Sequence, residues 1–119
     1  MAKSGHIIGE KERVGKLHYD LFKAFDTAGN PLYESGVVED SILLQEIKDS
    51  INASLVSANQ YSVVSMGHLL MVLDNGNTIK IGLVYDQGAG RYTNLIYIGN
   101  RLHVTTGKLA AIVERLRTQ

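Results

Sequence analysis

Leu69-Leu70-Met71-Val72-Leu73-Asp74-Asn75-Gly76-Asn77-Thr78-Ile79-Lys80-Ile81-Gly82-Leu83-Val84-Tyr85 is the stretch on which the fold turns. Five consecutive apolar residues run into Asp74-Asn75-Gly76. Beyond the glycine, Ile79, Ile81, Leu83 and Tyr85 alternate with Thr78, Lys80 and Gly82. A period of two places these sets on opposite faces of a strand. Asn and Gly both tolerate the positive φ of a tight primed turn, so the pair predicts a hairpin of antiparallel strands. The apolar run has the length of a buried strand, and the chain holds no run of about 18 apolar residues that could cross a membrane as a helix.

Toward the C-terminus, Gln87-Gly88-Ala89-Gly90 reads as a loop, 92–98 as a strand, and Gly99-Asn100 as a turn into Leu102-His103-Val104. Thr105-Thr106-Gly107 offers a capping hydroxyl to a final helix. Its apolar stripe is Leu109, Ile112, Val113 and Leu116, and Arg115 and Arg117 suit its C-terminal dipole. On the N-terminal side, 61–73 reads as one long strand in which Gly67 marks a bulge or bend. Its lack of Lys or Pro leaves it unprotected should it stand at a sheet edge. Before it, Leu43, Leu44, Ile47, Ile51, Leu55 and Ala58 recur at helical spacing, predicting an amphipathic helix over about 40–58 with Asp40 or Ser41 as its cap.

From Lys16, Leu17, Tyr19, Leu21 and Phe25 point to one side of a strand, and His18, Asp20, Phe22, Ala24 and Asp26 to the other. Asp26-Thr27-Ala28-Gly29-Asn30-Pro31 turns the chain back into a short strand over 32–35. Residues 1–15 read as a flexible arm or edge strand, and 16–119 as a single domain. The expected fold is therefore α+β. It has an antiparallel sheet of about five strands, element order β-β-α-β-β-β-α, with two helices on one face. That element order resembles the small sheet-and-helix modules of the roadblock and longin type across most of the chain.

Composition narrows the function. The 119 residues carry 12 Lys+Arg against 12 Asp+Glu, so no net field gathers nucleic acid or an anionic membrane, and neither is expected as a partner. The absence of Cys excludes disulfides, thiolate metal sites and a cysteine nucleophile. Charge is segregated: residues 17–100 hold four basic groups against nine acids, whereas residues 101–119 hold four against one. Basic ends flanking an acidic middle suit self-complementary surfaces. No apolar leader follows the first residues, so a soluble, cytoplasmic protein is expected. Asn52-Ala53-Ser54 spells a glycosylation acceptor by chance inside the expected helix.

His6, His18, His68 and His103 have no metal-ligand spacing, and no nucleophile motif occurs, so no metal, cofactor or catalytic set is expected. Two alternatives have named residues. Gly88, Gly90, Arg91 and Tyr92 would form an anionic, nucleotide-like ligand site, with glycine amides approaching phosphate, Arg91 forking onto it and Tyr92 stacking on a base. His18 and Asp20 share a strand face, where the carboxylate could orient the imidazole as the general base of a small hydrolase-like enzyme. The leading expectation is a non-enzymatic interaction module, homo-oligomeric, that binds a protein partner. Exposed strand edges and the six tyrosines Tyr19, Tyr33, Tyr61, Tyr85, Tyr92 and Tyr97 would supply its surface.

Overall fold

Asp74 does begin a hairpin turn, and the chain around it settles into a sheet wider than expected. A computed structural model describes residues 7–60 and 62–118. Along it run β1 (Val14–Phe25), β2 (Pro31–Val38), α1 (Ser41–Asn52), β3 (Leu55–Val56), β4 (Ser65–Leu73), β5 (Thr78–Asp86), β6 (Arg91–Ile98), β7 (Arg101–Val104) and α2 (Gly107–Arg117). All seven strands join one antiparallel sheet in the order β2-β1-β4-β5-β6-β7-β3. The α+β class stands, but the sheet has seven strands and the element order becomes β-β-α-β-β-β-β-β-α.

The extra strands come from β7, which pairs fully with β6, and from the early end of α1. Asp40 caps that helix as expected, its carboxylate accepting from the amides of Ile42 and Leu43. The helix stops at Asn52 rather than about 58. Ser54 turns both its amide and its hydroxyl onto the carbonyl of Ile51, at 3.1 and 2.7 Å, and so ends the helical ladder. Leu55 and Val56 then pair with Val104 and His103.

β1 and β4 bury Leu17, Tyr19, Leu21, Leu69 and Met71 against Leu44, Ile47 and Ile51 of α1, and against Leu109, Ile112 and Val113 of α2. The two helices touch each other and both touch β1, so one face of the sheet carries the core. Ile8 is fully buried in that core, and its amide and carbonyl are both bonded by the Asn52 side chain. The Asn52 amide is thus committed to the backbone of Ile8. Of the stretch expected as an arm, residues 7–13 are thus seated beside α1, where Lys48 donates to the carbonyls of Glu10 and Glu12.

On the other face the chain crosses back. β3 lies at one edge and β4 in the middle, so residues 57–60 and 62–64 strap across β7, β6 and β5. Two reciprocal clamps hold this strap. The Gln60 amide bonds both the N–H and the C=O of Leu102, and the Tyr97 hydroxyl bonds both the N–H and the C=O of Val63. The remaining half of that face, from β2 to β4, has no cover among the described residues.

Three local expectations change. The strand expected over 61–73 starts at Ser65, and because β4 lies between β1 and β5 it is no edge; the long edge is β2. The turn at Asn75-Gly76 is a three-residue loop in which Gly76 alone takes positive φ. The hydroxyl of Thr105 bonds the carbonyl of Asn94 and Thr106 makes no side-chain cap, so α2 starts without the expected hydroxyl.

Candidate functional site

The open half-face ends in a groove built by register shifts. Between Phe22 and Ala24 the β1–β2 ladder admits Lys23 as an extra residue. This carries Phe25, expected with Leu17, Tyr19 and Leu21 on the core side, to the open side opposite Pro31. At the same level the β4–β5 and β5–β6 ladders also shift, at Ser65/His68 and Leu83/Tyr85. The strands splay, and a groove of about 500 Å3 opens between Phe25, Pro31, Tyr33, Val64, Met66, Val84 and Tyr85.

Its apolar character is exposed. Phe25 is 50% exposed, Tyr33 45% and Val64 78%, so three of the large apolar side chains left in water converge on one place. Beneath them Phe22 is buried, stacking edge-on against Phe25, Tyr33 and Tyr85 at centroid distances of 5.0, 6.1 and 4.9 Å. Among the described residues the lining carries no charged group, and its polar members are Ser65, Gln87 and the two tyrosine hydroxyls.

Two side chains hold this splayed end in shape. The hydroxyl of Tyr92 accepts from the amide of Phe22 at 2.7 Å and donates to the carbonyl of Met66, bridging β1 and β4 where their ladder stops. Burial pushes the Tyr92 phenol up to about 12, so it stays protonated and able to donate. Gly67 makes the bridge possible: at φ +105° it takes a conformation few side chains tolerate, and a Cβ there would stand 2.5 Å from the carbonyl oxygen of Asp20. Arg117, from the end of α2, donates to the carbonyls of Phe22 and Lys23 and to the Tyr85 hydroxyl, lies over the Tyr85 ring, and is held by Glu114. Between the basic end and the acidic middle, Lys108 meets Glu46 at 3.9 Å within the chain.

Beside the groove lies a polar patch. His18, Asp20, Ser35 and His68 share the open face with Val37 and Leu70. Asp20 accepts from the Ser35 hydroxyl at 2.6 Å rather than from His18, so the carboxylate orients a serine and not the imidazole. His103 is elsewhere, buried at β7, and His6 lies outside the described residues. Among the described residues no cluster of three or more acidic or imidazole groups is arranged around a metal position.

Of the residues expected at an anion site, Gly88, Gly90 and Arg91 lie together at the exposed turn into β6, and Tyr92 is turned inward. Gly88 and Gly90 are exposed in the turn after Asp86, and Arg91 is exposed at the head of β6. The Asp86 carboxylate accepts from the amides of Gly88 and Ala89, and its carbonyl from Gly90, so these three amides are already partnered within the turn. Tyr92 is 3% exposed and cannot stack on a ligand. Arg91 and Tyr92 do line a second groove against α2, shared with Asn94, Ala110 and the acid Glu114.

Sequence reasoning missed the aromatic groove. Its residues come from four separate stretches, and the one local signal was Gly67 inside an apolar strand. Among the tyrosines, Tyr33 and Tyr85 line it, Tyr19 and Tyr92 are in the core, Tyr97 serves the strap, and Tyr61 lies outside the described residues. No helix among the described residues is long and apolar enough to cross a membrane. No protein-family model, curated protein or solved structure matches the chain.

Proposed function

We propose that the chain is a non-enzymatic interaction module, working as a homo-oligomer, that takes a protein partner on the open half of its sheet. The observation that carries this reading is the convergence of exposed Phe25, Tyr33 and Val64 on one uncharged groove while the other half of the same face is covered by the strap clamped at Gln60 and Val63. Aromatic and Met side chains of this kind dominate the centres of protein interfaces. An uncharged lining selects a partner segment that inserts apolar side chains, because an ionised group would lose its hydration there without a counter-charge. Tyr92 and Arg117 tie down its floor, and a pre-formed floor spends little ordering entropy on binding. The adjacent Ser35–Asp20 pair gives the rim a polar contact of fixed geometry.

A photoreactive phenylalanine derivative placed at position 64 or, as a control, at position 100 tests this in cells. Adducts are expected from position 64, disappearing when Tyr33→Asp is added, and none from position 100. Equal adducts from both positions, or adducts from 64 that ignore Tyr33→Asp, would contradict the reading.

A further inference from the structure

We infer that β2 seats a second copy of this chain, added antiparallel about a twofold axis through Ser35, so that two seven-stranded sheets become one. This rests on the reading of the chain as an interaction module and names its first partner. The sheet has two edges of very different kind. One is β3, only two residues long, while β2 runs for eight and nothing among the described residues pairs with its outer side. Along such an edge every second residue turns its N–H and C=O outward, a template for another strand.

The usual defences are missing from β2. Pro31–Val38 contains no Lys, its one Pro stands at the first position, and the bulge of the hairpin lies on β1 and leaves β2 regular. Its single charge, Glu34, is met by Lys23 of β1 at 3.1 Å. The outer edge is therefore close to neutral, and Val37, which pairs with His18 on the open face, is 49% exposed.

The partner's identity follows from register. A twofold axis perpendicular to the sheet keeps the two open faces on the same side, so open-face residues must oppose open-face residues. Centred on Ser35, Tyr33 of each copy stands opposite Val37 of the other, giving two aromatic-to-β-branched pairs by symmetry. In the same register Glu34 opposes Gly36, whose core side is already filled by the Tyr19 ring and hydroxyl, so the carboxylate meets no second charge there. Centring on Glu34 instead sets two carboxylates face to face. Centring on Gly36 sets Tyr33 against Glu39 and Glu34 against Val38. Of these three the Ser35-centred register alone sets Tyr33 against Val37; it pairs residues 32–38, leaves Pro31 outside the ladder opposite Glu39, and is self-complementary, as a second copy requires.

Thiols test the register directly, because the chain has no cysteine of its own. Directly opposed residues have Cα atoms about 4.5–5.5 Å apart, within disulfide range. Ser35→Cys should oxidise to a covalent dimer. An equimolar mixture of Tyr33→Cys and Val37→Cys should yield a heterodimer, while each alone stays uncoupled, since its two copies are about 13 Å apart along the strands. Light scattering should give twice the 13.0 kDa of one chain, and Val37→Lys should weaken the dimer about tenfold. Unchanged far-ultraviolet circular dichroism identifies variants that remain folded. A dimeric wild type whose Ser35→Cys form and mixed pair both fail to couple overturns this register while leaving the interaction reading intact. A mass of one chain at every concentration overturns self-association, and the partner adducts at position 64 then decide the broader reading separately.

Discussion

The hydroxyl of Tyr92 lies 2.8 Å from where a Cβ on Gly67 would be built. One residue leaves the space and the other fills it, and together they end the β1–β4 ladder at the floor of the aromatic groove. Gly67→Ala must therefore push on both Tyr92 and the Asp20 carbonyl while holding φ at +105°. A loss of about 1–3 kcal/mol from the backbone alone is expected, more with the clash, read as a lower urea midpoint. A midpoint equal to wild type would show that the junction relaxes freely.

Tyr92→Phe keeps the ring and removes the bridge. The amide of Phe22 and the carbonyl of Met66 then lose a buried partner, at about 1–3 kcal/mol for each group left unsatisfied. The variant should also lose the high-pH phenolate step. In the native protein the Tyr92 phenol is pushed above its ordinary 10.0 to about 12, so its contribution to stability is intact below pH 10 and lost as pH rises through 12. Absorbance at the phenolate band, followed against pH in both proteins, separates this group from the exposed tyrosines.

His103 sets the opposite pH edge. The one hydroxyl hydrogen of Ser54 goes to Ile51, so at 3.3 Å the serine oxygen faces His103 Nδ1 as an acceptor and the neutral imidazole is the donor. Burial, assisted by the charge of Arg101, holds His103 below its ordinary 6.5. The unfolded chain takes up the proton first, so stability is full above pH 6.5 and falls as pH drops toward the lowered folded value. One proton limits the slope to about 1.4 kcal/mol per pH unit. His103→Asn keeps a side-chain donor and should flatten this part of the curve in urea titrations. An unchanged decline would place the proton elsewhere.

Arg91→Ala distinguishes the groove from the glycine turn as the working surface. With the amides of Gly88 and Ala89 held by Asp86, added inorganic phosphate or ATP should leave the melting temperature of both wild type and variant unmoved. A nucleotide-dependent rise abolished by Arg91→Ala would restore the anion site.

Much of the fold was legible where a residue pattern has one physical meaning. The alternation of Leu17, Tyr19 and Leu21 with His18 and Asp20 fixes two faces, and Asp40 before an apolar stripe starts a helix. Leu55 was misread because it continues the helical spacing of Leu44, Ile47 and Ile51, and nothing local reveals that Ser54 will bind the Ile51 carbonyl. Lys23 gives no warning of a bulge, since neither Gly nor Pro marks it, yet that one residue moves Phe25 from the core side to the groove. Tyr92 carries no local sign of its burial, because that burial depends on Phe22 and Met66, 70 and 26 residues away.

Amide hydrogen exchange of residues 32–38 at rising protein concentration tests the central claim most directly. If β2 and the open face are the working surface, the outward amides of β2 should slow with concentration while those of the short edge strand β3 do not. Outward β2 amides that exchange at one rate throughout, in a chain that stays at 13.0 kDa, would contradict it.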